Sequence, residues 1–166
     1  MAACGYLGVG LLVVGVSCFA VAVGSREGGR LGSSACPVCV AQAVWDYSFS
    51  YAHARKQFGQ SVASFQGLVF MLADMALSVE SARAMYLSAA RRKDKGLPFS
   101  TQASMSKLLA TDNAMQVCTD AIQVLGGAGD VEDHPVERYF REVKVLQILE
   151  GTNQVQRMVI SRGLSG

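Results

Sequence analysis

Three short stretches of the sequence set glycine beside polar or charged side chains. They are Arg55-Lys56-Gln57-Phe58-Gly59, Gln123-Val124-Leu125-Gly126-Gly127-Ala128-Gly129 and Glu150-Gly151-Thr152-Asn153-Gln154. Glycine turns let a bulky ligand come close to the backbone. A helix N-terminus binds phosphate through its unpaired N–H groups, and arginine adds a forked donor set suited to pyrophosphate. These are the ingredients of a nucleotide-cofactor site. The plainer alternative also stands: GGxG is often only a helix stop, and an arginine at a helix end often only answers the dipole. Glu150 follows the apolar run Val145-Leu146-Gln147-Ile148-Leu149. A carboxylate among apolar neighbours is desolvated, which raises its pKa and makes it a usable base near neutrality. The alternative is a helix-end acid lying in solvent.

The five cysteines, Cys4, Cys18, Cys36, Cys39 and Cys118, are odd in number and scattered, so they do not form a disulfide scaffold. Cys36-Pro37-Val38-Cys39 has the spacing of a redox pair, but no strand-to-helix unit surrounds it. No second CxxC or histidine pair lies at zinc spacing, so no metal site is expected.

The elements that must position these residues are helical. Apolar residues recur three and four apart rather than alternating. Val40, Val44, Tyr47 and Tyr51 predict one helix from about Ala35 to Lys56, broken at Phe58-Gly59. The stripe from Phe65 through Leu68, Val69, Leu72, Met75, Val79, Ala82 and Met85 predicts a second, ending near Gly96-Leu97-Pro98. Ser100 or Thr101 is placed to cap a third, with Met105, Leu108, Leu109, Val117, Cys118, Ile122 and Leu125 on its core face and a stop at Gly126-Gly127. Pro135 suits the first turn of a fourth, running through Leu149, and Thr152 caps a last one. The expected fold is all-α: an antiparallel bundle of three long and two shorter helices.

The chain has 166 residues, of which 51% are hydrophobic and 17% charged, which excludes a disordered tail. A net charge of +2 gives no clustered basic excess, so nucleic acid is not an expected partner. Residues 1–26 read as a separate apolar leader. Its run from Leu7 to Gly24 sits at the lower edge of membrane-span length. No lysine or arginine precedes it as a signal peptide requires. A span, a signal, a buried strand or helix and a stretch foreign to the domain all stay open.

RKQFG, FQ, LADMA, ESAR, QVLGGAG, PVERYFRE and ILEGTNQVQR, in this order, resemble the C-terminal helical domain of the acyl-CoA dehydrogenases. The resemblance runs from about Glu27 to Leu164. Glu27-Gly28-Gly29-Arg30 is similar to the DGGR that opens that domain's first helix. LADMALSVESAR and KDKGLPF look most like the short-chain and short/branched-chain members. The sequence departs from the family's usual pattern at Glu27, Asp130, Glu142 and Leu149, where aspartate, an aromatic residue, aspartate and tyrosine are common.

The resemblance implies an FAD-dependent oxidoreductase of fatty-acid β-oxidation that converts an acyl-CoA into a trans-2-enoyl-CoA. Glu150 would be the general base. Glu27, Arg30 and Gly151 would meet substrate. Arg55, Gln57, Phe65 and Gln66, with Gln123, Gly126 and Gly127, would touch the FAD of a neighbouring subunit. Thr152 and Gln154 would touch the chain's own FAD. A homodimer or homotetramer follows, with electron-transferring flavoprotein as electron acceptor and the mitochondrial matrix or bacterial cytoplasm as location. The family's N-terminal helical and middle β-domains have no counterpart here, so a fragment is expected: a truncated product, a splice form or a mis-predicted gene start. The competing expectation is a non-catalytic helical oligomerisation or interaction module, membrane-tethered through Leu7–Gly24.

Overall fold

The computed structural model describes residues 15–165, with side chains from residue 28 onward. Within that span the chain folds as expected, into five α-helices around one core. They are α1 (Gly15–Ala54), α2 (Gln66–Asp94), α3 (Ser100–Leu125), α4 (Val136–Leu146) and α5 (Asn153–Leu164). Cys4 and the first part of the apolar run lie outside the described residues, and the expected boundary between residues 26 and 27 falls inside α1. Among the described residues no helix is long and apolar enough to cross a membrane.

Helix α3 is the central element, packed by all four other helices. Its buried face is built from small residues, Ala103, Ser104, Ser106, Ala110, Ala114 and Ala121, so that neighbouring helices approach closely. Against it pack Val44 and Ala52 of α1, Leu72, Met75 and Val79 of α2, and Val136 and Val143 of α4. Val40, Tyr47 and Tyr51 complete the stripe expected on α1.

The structure corrects three local expectations. Helix α1 begins at Gly15, not near Ala35. The glycines and serines between residues 28 and 34 argue against a helix by propensity, but Leu31 and Ser34 are buried in the same row as Val38 and Ala41. The hydroxyls of Ser33 and Ser34 both donate to the Arg30 carbonyl, at 3.0 and 2.7 Å, and so are satisfied within the helix. Ser100 and Thr101 are the first residues of α3 rather than its cap, which is Phe99 without a side-chain bond. On the first half of α3, Met105, Leu108 and Leu109 are only half-buried and line a groove with Met85 and Ile160; Lys107 and Thr111 take the core side instead.

The break at Phe58-Gly59 is a hairpin. Strands β1 (Lys56–Gln57) and β2 (Gln60–Ser61) pair antiparallel. Phe58 and Gly59 both have positive φ, 53° and 82°, as a two-residue turn of the mirror-image type requires. Ser61 donates to the Ala52 carbonyl at 2.8 Å and tethers the hairpin to the end of α1.

Candidate active site

Helix α4 ends at Leu146, short of the expected Leu149, because the chain tightens there. Ile148 and Leu149 both donate to the Val145 carbonyl, at 2.9 and 3.0 Å. Glu150 and Gly151 follow with φ of 55° and 90°, two successive left-handed residues. This conformation is costly for a glutamate and persists only where the surroundings hold it. Thr152 then caps α5 as expected, its hydroxyl accepting from the Val155 N–H at 3.3 Å.

Two distant parts of the sequence meet at this turn. Arg30 of α1, Glu150 and Gly151 line one cavity of about 240 Å³, with Val155. Gly29 makes room for the acid: a Cβ built there would lie 3.0 Å from Oε2 of Glu150. Arg30 reaches α3 through Nη1, 3.5 Å from the Ser104 hydroxyl, while its buried Nε finds no partner among the described residues. Glu27 belongs to the same helix one turn earlier, but its side chain lies outside the described residues. Glu150 is exposed, and so are Ile148 (55%) and Leu149 (51%). The dry surroundings expected of its apolar run are therefore not supplied by these neighbours. The half-buried Thr152 and the exposed Gln154 stand at the N-terminus of α5, beside this cavity.

A second cavity, of about 490 Å³, brings together Arg55, Gln57, Gln123, Gly126 and Gly127, with Tyr51 and Leu68 among its other walls. The sequence pointed to these five residues at two separate junctions. The αL-tolerant stop is real, Gly126 having φ of 62°. Gly127 has open space where a Cβ would stand, whereas a Cβ on Gly129 would strike the Ile122 backbone at 2.8 Å. The third glycine of GGAG therefore serves packing, and the first two leave the cavity side open. Phe65 and Gln66 lie between the lining residues Val62 and Leu68 in sequence without lining the cavity; Phe65 packs edge-on against Phe58. Lys107, whose side chain reaches the Gly151 carbonyl of the first cavity, and Gln123 of the second are sixteen positions apart on α3, about 24 Å along its axis.

Behind the Glu150 turn lies a buried polar network that sequence reasoning missed. Lys107 is fully buried. Its Nζ donates to the Gly151 carbonyl at 3.0 Å and to Asn153 Oδ1 at 2.7 Å. Gln156, also fully buried, donates through Nε2 to the carbonyls of Glu150 at 3.1 Å and Gly151 at 2.9 Å. Asn153 Nδ2 donates to Asp112 at 2.6 Å, and Asp112 also receives Gln147 and Arg157. Burial lowers the Lys107 pKa to about 8, against the opposing pull of Asp112 and Glu150. The only sequence signal was a lysine falling in register with the small residues Ala103, Ala110 and Ala114.

Cys36-Pro37-Val38-Cys39 lies within α1, following no strand, with both thiols exposed and free. Cys118 is buried in the core, and desolvation pushes its thiol up to about 12.

Comparison with known proteins identifies the fold and the family. The probable acyl-CoA dehydrogenase YngJ of Bacillus subtilis is 46% identical over 138 residues, which cover 83% of this chain and 36% of that protein. The butyryl-CoA dehydrogenase of Megasphaera elsdenii superposes with a TM-score of 0.87 at 40% identity, over 89% of this chain and 39% of the other. A chain from a structure described as the electron transferring flavoprotein of Acidaminococcus fermentans superposes with a TM-score of 0.86 at 46% identity, covering 88% of this chain and 38% of that one. The chain thus spans less than two-fifths of the length of these relatives. The family profile described as "Acyl-CoA dehydrogenase, C-terminal domain" matches residues 19–165, and on that match the chain belongs to the acyl-CoA dehydrogenase family.

Proposed function

We propose that Glu150 is the general base of an acyl-CoA dehydrogenase, removing the α-proton of a short or branched acyl-CoA thioester. The observation that carries this reading is the cavity in which Arg30, Glu150 and Gly151 meet, with Gly29 leaving room for the carboxylate. The α-proton passes to a Glu150 oxygen as the Cα–H bond breaks. Backbone N–H donors at the turn stabilise the negative charge that develops on the thioester oxygen. Arg30 orients the substrate from α1. The product is a trans-2-enoyl-CoA.

The residues present fit FAD. Arg55 offers a forked donor set beside the open glycine edge of Gly126 and Gly127, and Thr152 and Gln154 stand at a helix N-terminus suited to phosphate. When bound, FAD supplies a two-electron acceptor that takes the β-hydrogen as hydride. The separation of the two clusters along α3 supports a site shared between subunits, with Arg55, Gln57, Phe65, Gln66, Gln123, Gly126 and Gly127 serving a partner's flavin. A homodimer or homotetramer follows, with electron-transferring flavoprotein as the acceptor of electrons, in the mitochondrial matrix or bacterial cytoplasm.

The test is an anaerobic titration of the purified chain. A yellow protein that bleaches with butyryl-CoA is expected, and Glu150→Gln should keep its flavin but no longer bleach. Bleaching by Glu150→Gln at the wild-type rate would remove the base assignment. A chain that binds no FAD would overturn catalysis by this chain alone. The exposed apolar side chains Phe49, Val69, Phe70 and Leu77 on α1 and α2 favour a second reading, a non-catalytic oligomerisation module. A colourless protein that self-associates is its signature.

A further inference from the structure

Two successive left-handed residues at the end of α4 need an external hold, and the structure shows where it comes from. The carbonyl of Gly151 receives two buried donors, Lys107 Nζ and Gln156 Nε2, and the carbonyl of Glu150 receives Gln156. In a planar trans peptide the N–H points opposite to the C=O. Drawing these two carbonyls toward Lys107 and Gln156 therefore turns the N–H groups of Gly151 and Thr152 away from those two side chains. Gly151 itself has no room for a side chain, since a Cβ would stand 2.8 Å from Gln156 Nε2.

We infer that Lys107 is a positioning residue for Glu150: from inside the bundle it fixes the Gly151 carbonyl and thereby sets the Glu150 carboxylate over Gly29. The inference rests on the reading of Glu150 as the base. Two features separate this lysine from an ordinary surface cation. It is fully buried, and such lysines are rare unless paired. Its bonds also go to the turn, to one backbone carbonyl and to the first residue of α5, rather than directly to a carboxylate.

The charged groups around it come from α1, α3, α5 and the turn. Asp112 on α3 is reached through Asn153, and Glu150 on the turn attracts it through space. Arg157 of α5 is held by Asp112, and Arg30 of α1 lines the cavity together with Glu150. A hold of this kind weakens as the ammonium loses its proton, and the lowered Lys107 pKa puts that loss near pH 8.

The test uses the full chain, isotopically labelled, by NMR. In the wild type, the Lys107 side-chain nitrogen and the Gly151 carbonyl carbon should titrate with one midpoint near 8. In Lys107→Met the Gly151 titration should vanish. The amides of Glu150, Gly151 and Thr152 should then exchange at least about tenfold faster while those of α2 keep their rates. The contact between the Glu150 side chain and the Gly29 α-protons should be lost as well. A Gly151 carbonyl that ignores the Lys107 titration overturns the inference from the wild type alone, whether or not the variant folds. So does an exchange increase spread evenly over the bundle. None of these readouts depends on flavin or turnover. If Glu150→Gln still bleached, the base assignment would fall with these results standing.

Discussion

Gly29 leaves the space that Glu150 fills. A Cβ at position 29 would lie 3.0 Å from Oε2 and 3.3 Å from Cδ of the glutamate, across a sequence separation from the first helix to the turn before the last. The atom it would meet is the far end of a flexible side chain, so an added methyl group displaces the carboxylate more readily than the helix.

Gly29→Ala is therefore expected to separate stability from function. Alanine in a helix interior is worth about 0.5–1 kcal/mol over glycine, so urea unfolding should shift toward higher stability or stay level. Bleaching by butyryl-CoA should slow about 10–100-fold, because a displaced base misses its proton. An unchanged rate would show that the carboxylate does not work from this position.

Gly129→Ala should do the reverse. Its Cβ would stand 2.8 Å from the Cα and 2.9 Å from the carbonyl oxygen of Ile122, backbone atoms that cannot rotate away. Overpacking of this kind costs about 1–3 kcal/mol. Chemical denaturation is the measurement, and a variant as stable as wild type would show that the short helical turn after α3 shifts freely.

Lys107 makes stability depend on alkaline pH. Its pKa falls from 10.5 in the unfolded chain to about 8 in the fold, so between these values the unfolded chain binds the extra proton. Stability contributed by this group therefore rises from pH 8 to pH 10.5, and below pH 8 its burial penalty is fully present. The rise is at most about 3.5 kcal/mol, at roughly 1.4 kcal/mol per pKa unit. Unfolding free energies of wild type and Lys107→Met, measured at pH 7.5 and 9.5, should diverge with this sign. Parallel curves would contradict it.

Thiol reactivity should sort the described cysteines by burial. Cys118 lies in the core with its pKa pushed up to about 12, so almost no thiolate is present at neutral pH. Cys36 and Cys39 are exposed, although partial burial and the neighbouring Cys39 raise Cys36. Alkylation followed by peptide mapping should label positions 36 and 39 in the native chain and position 118 only after unfolding. Native labelling of Cys118 would mean that the core opens readily.

Much of this architecture is legible in the amino-acid order, because helices write their period into the sequence. Tyr51, Leu72, Val79 and Val117 recur at the spacing that a buried face demands, and Gly126, Pro135 and Thr152 mark ends with residues whose backbone or hydroxyl suits them. The start of α1 ahead of Ala35 was not legible in the apolar spacing, although Glu27-Gly28-Gly29-Arg30 resembles the family's opening of that helix. Local propensity at Gly28, Gly29 and Gly32 opposes a helix, and only packing of Leu31 and Val38 against the bundle overrides it. The exposure of Glu150 was one of two alternatives that the sequence left open, since an apolar run says nothing about which way its side chains face.

The sequence by itself determined the helices and the family and pointed to candidate site residues, because each of these is written in short-range spacing or in ordered motifs. The tertiary structure alone decided that Arg30 and Glu150 share one cavity while Arg55 and Gln123 share another. Such meetings depend on how α1, α3 and the turns cross, which is a property of long-range packing. It alone decided, too, that Lys107 points inward to the Gly151 carbonyl. A lysine is ordinarily a surface residue, and only a pocket lined with polar partners makes its burial tolerable.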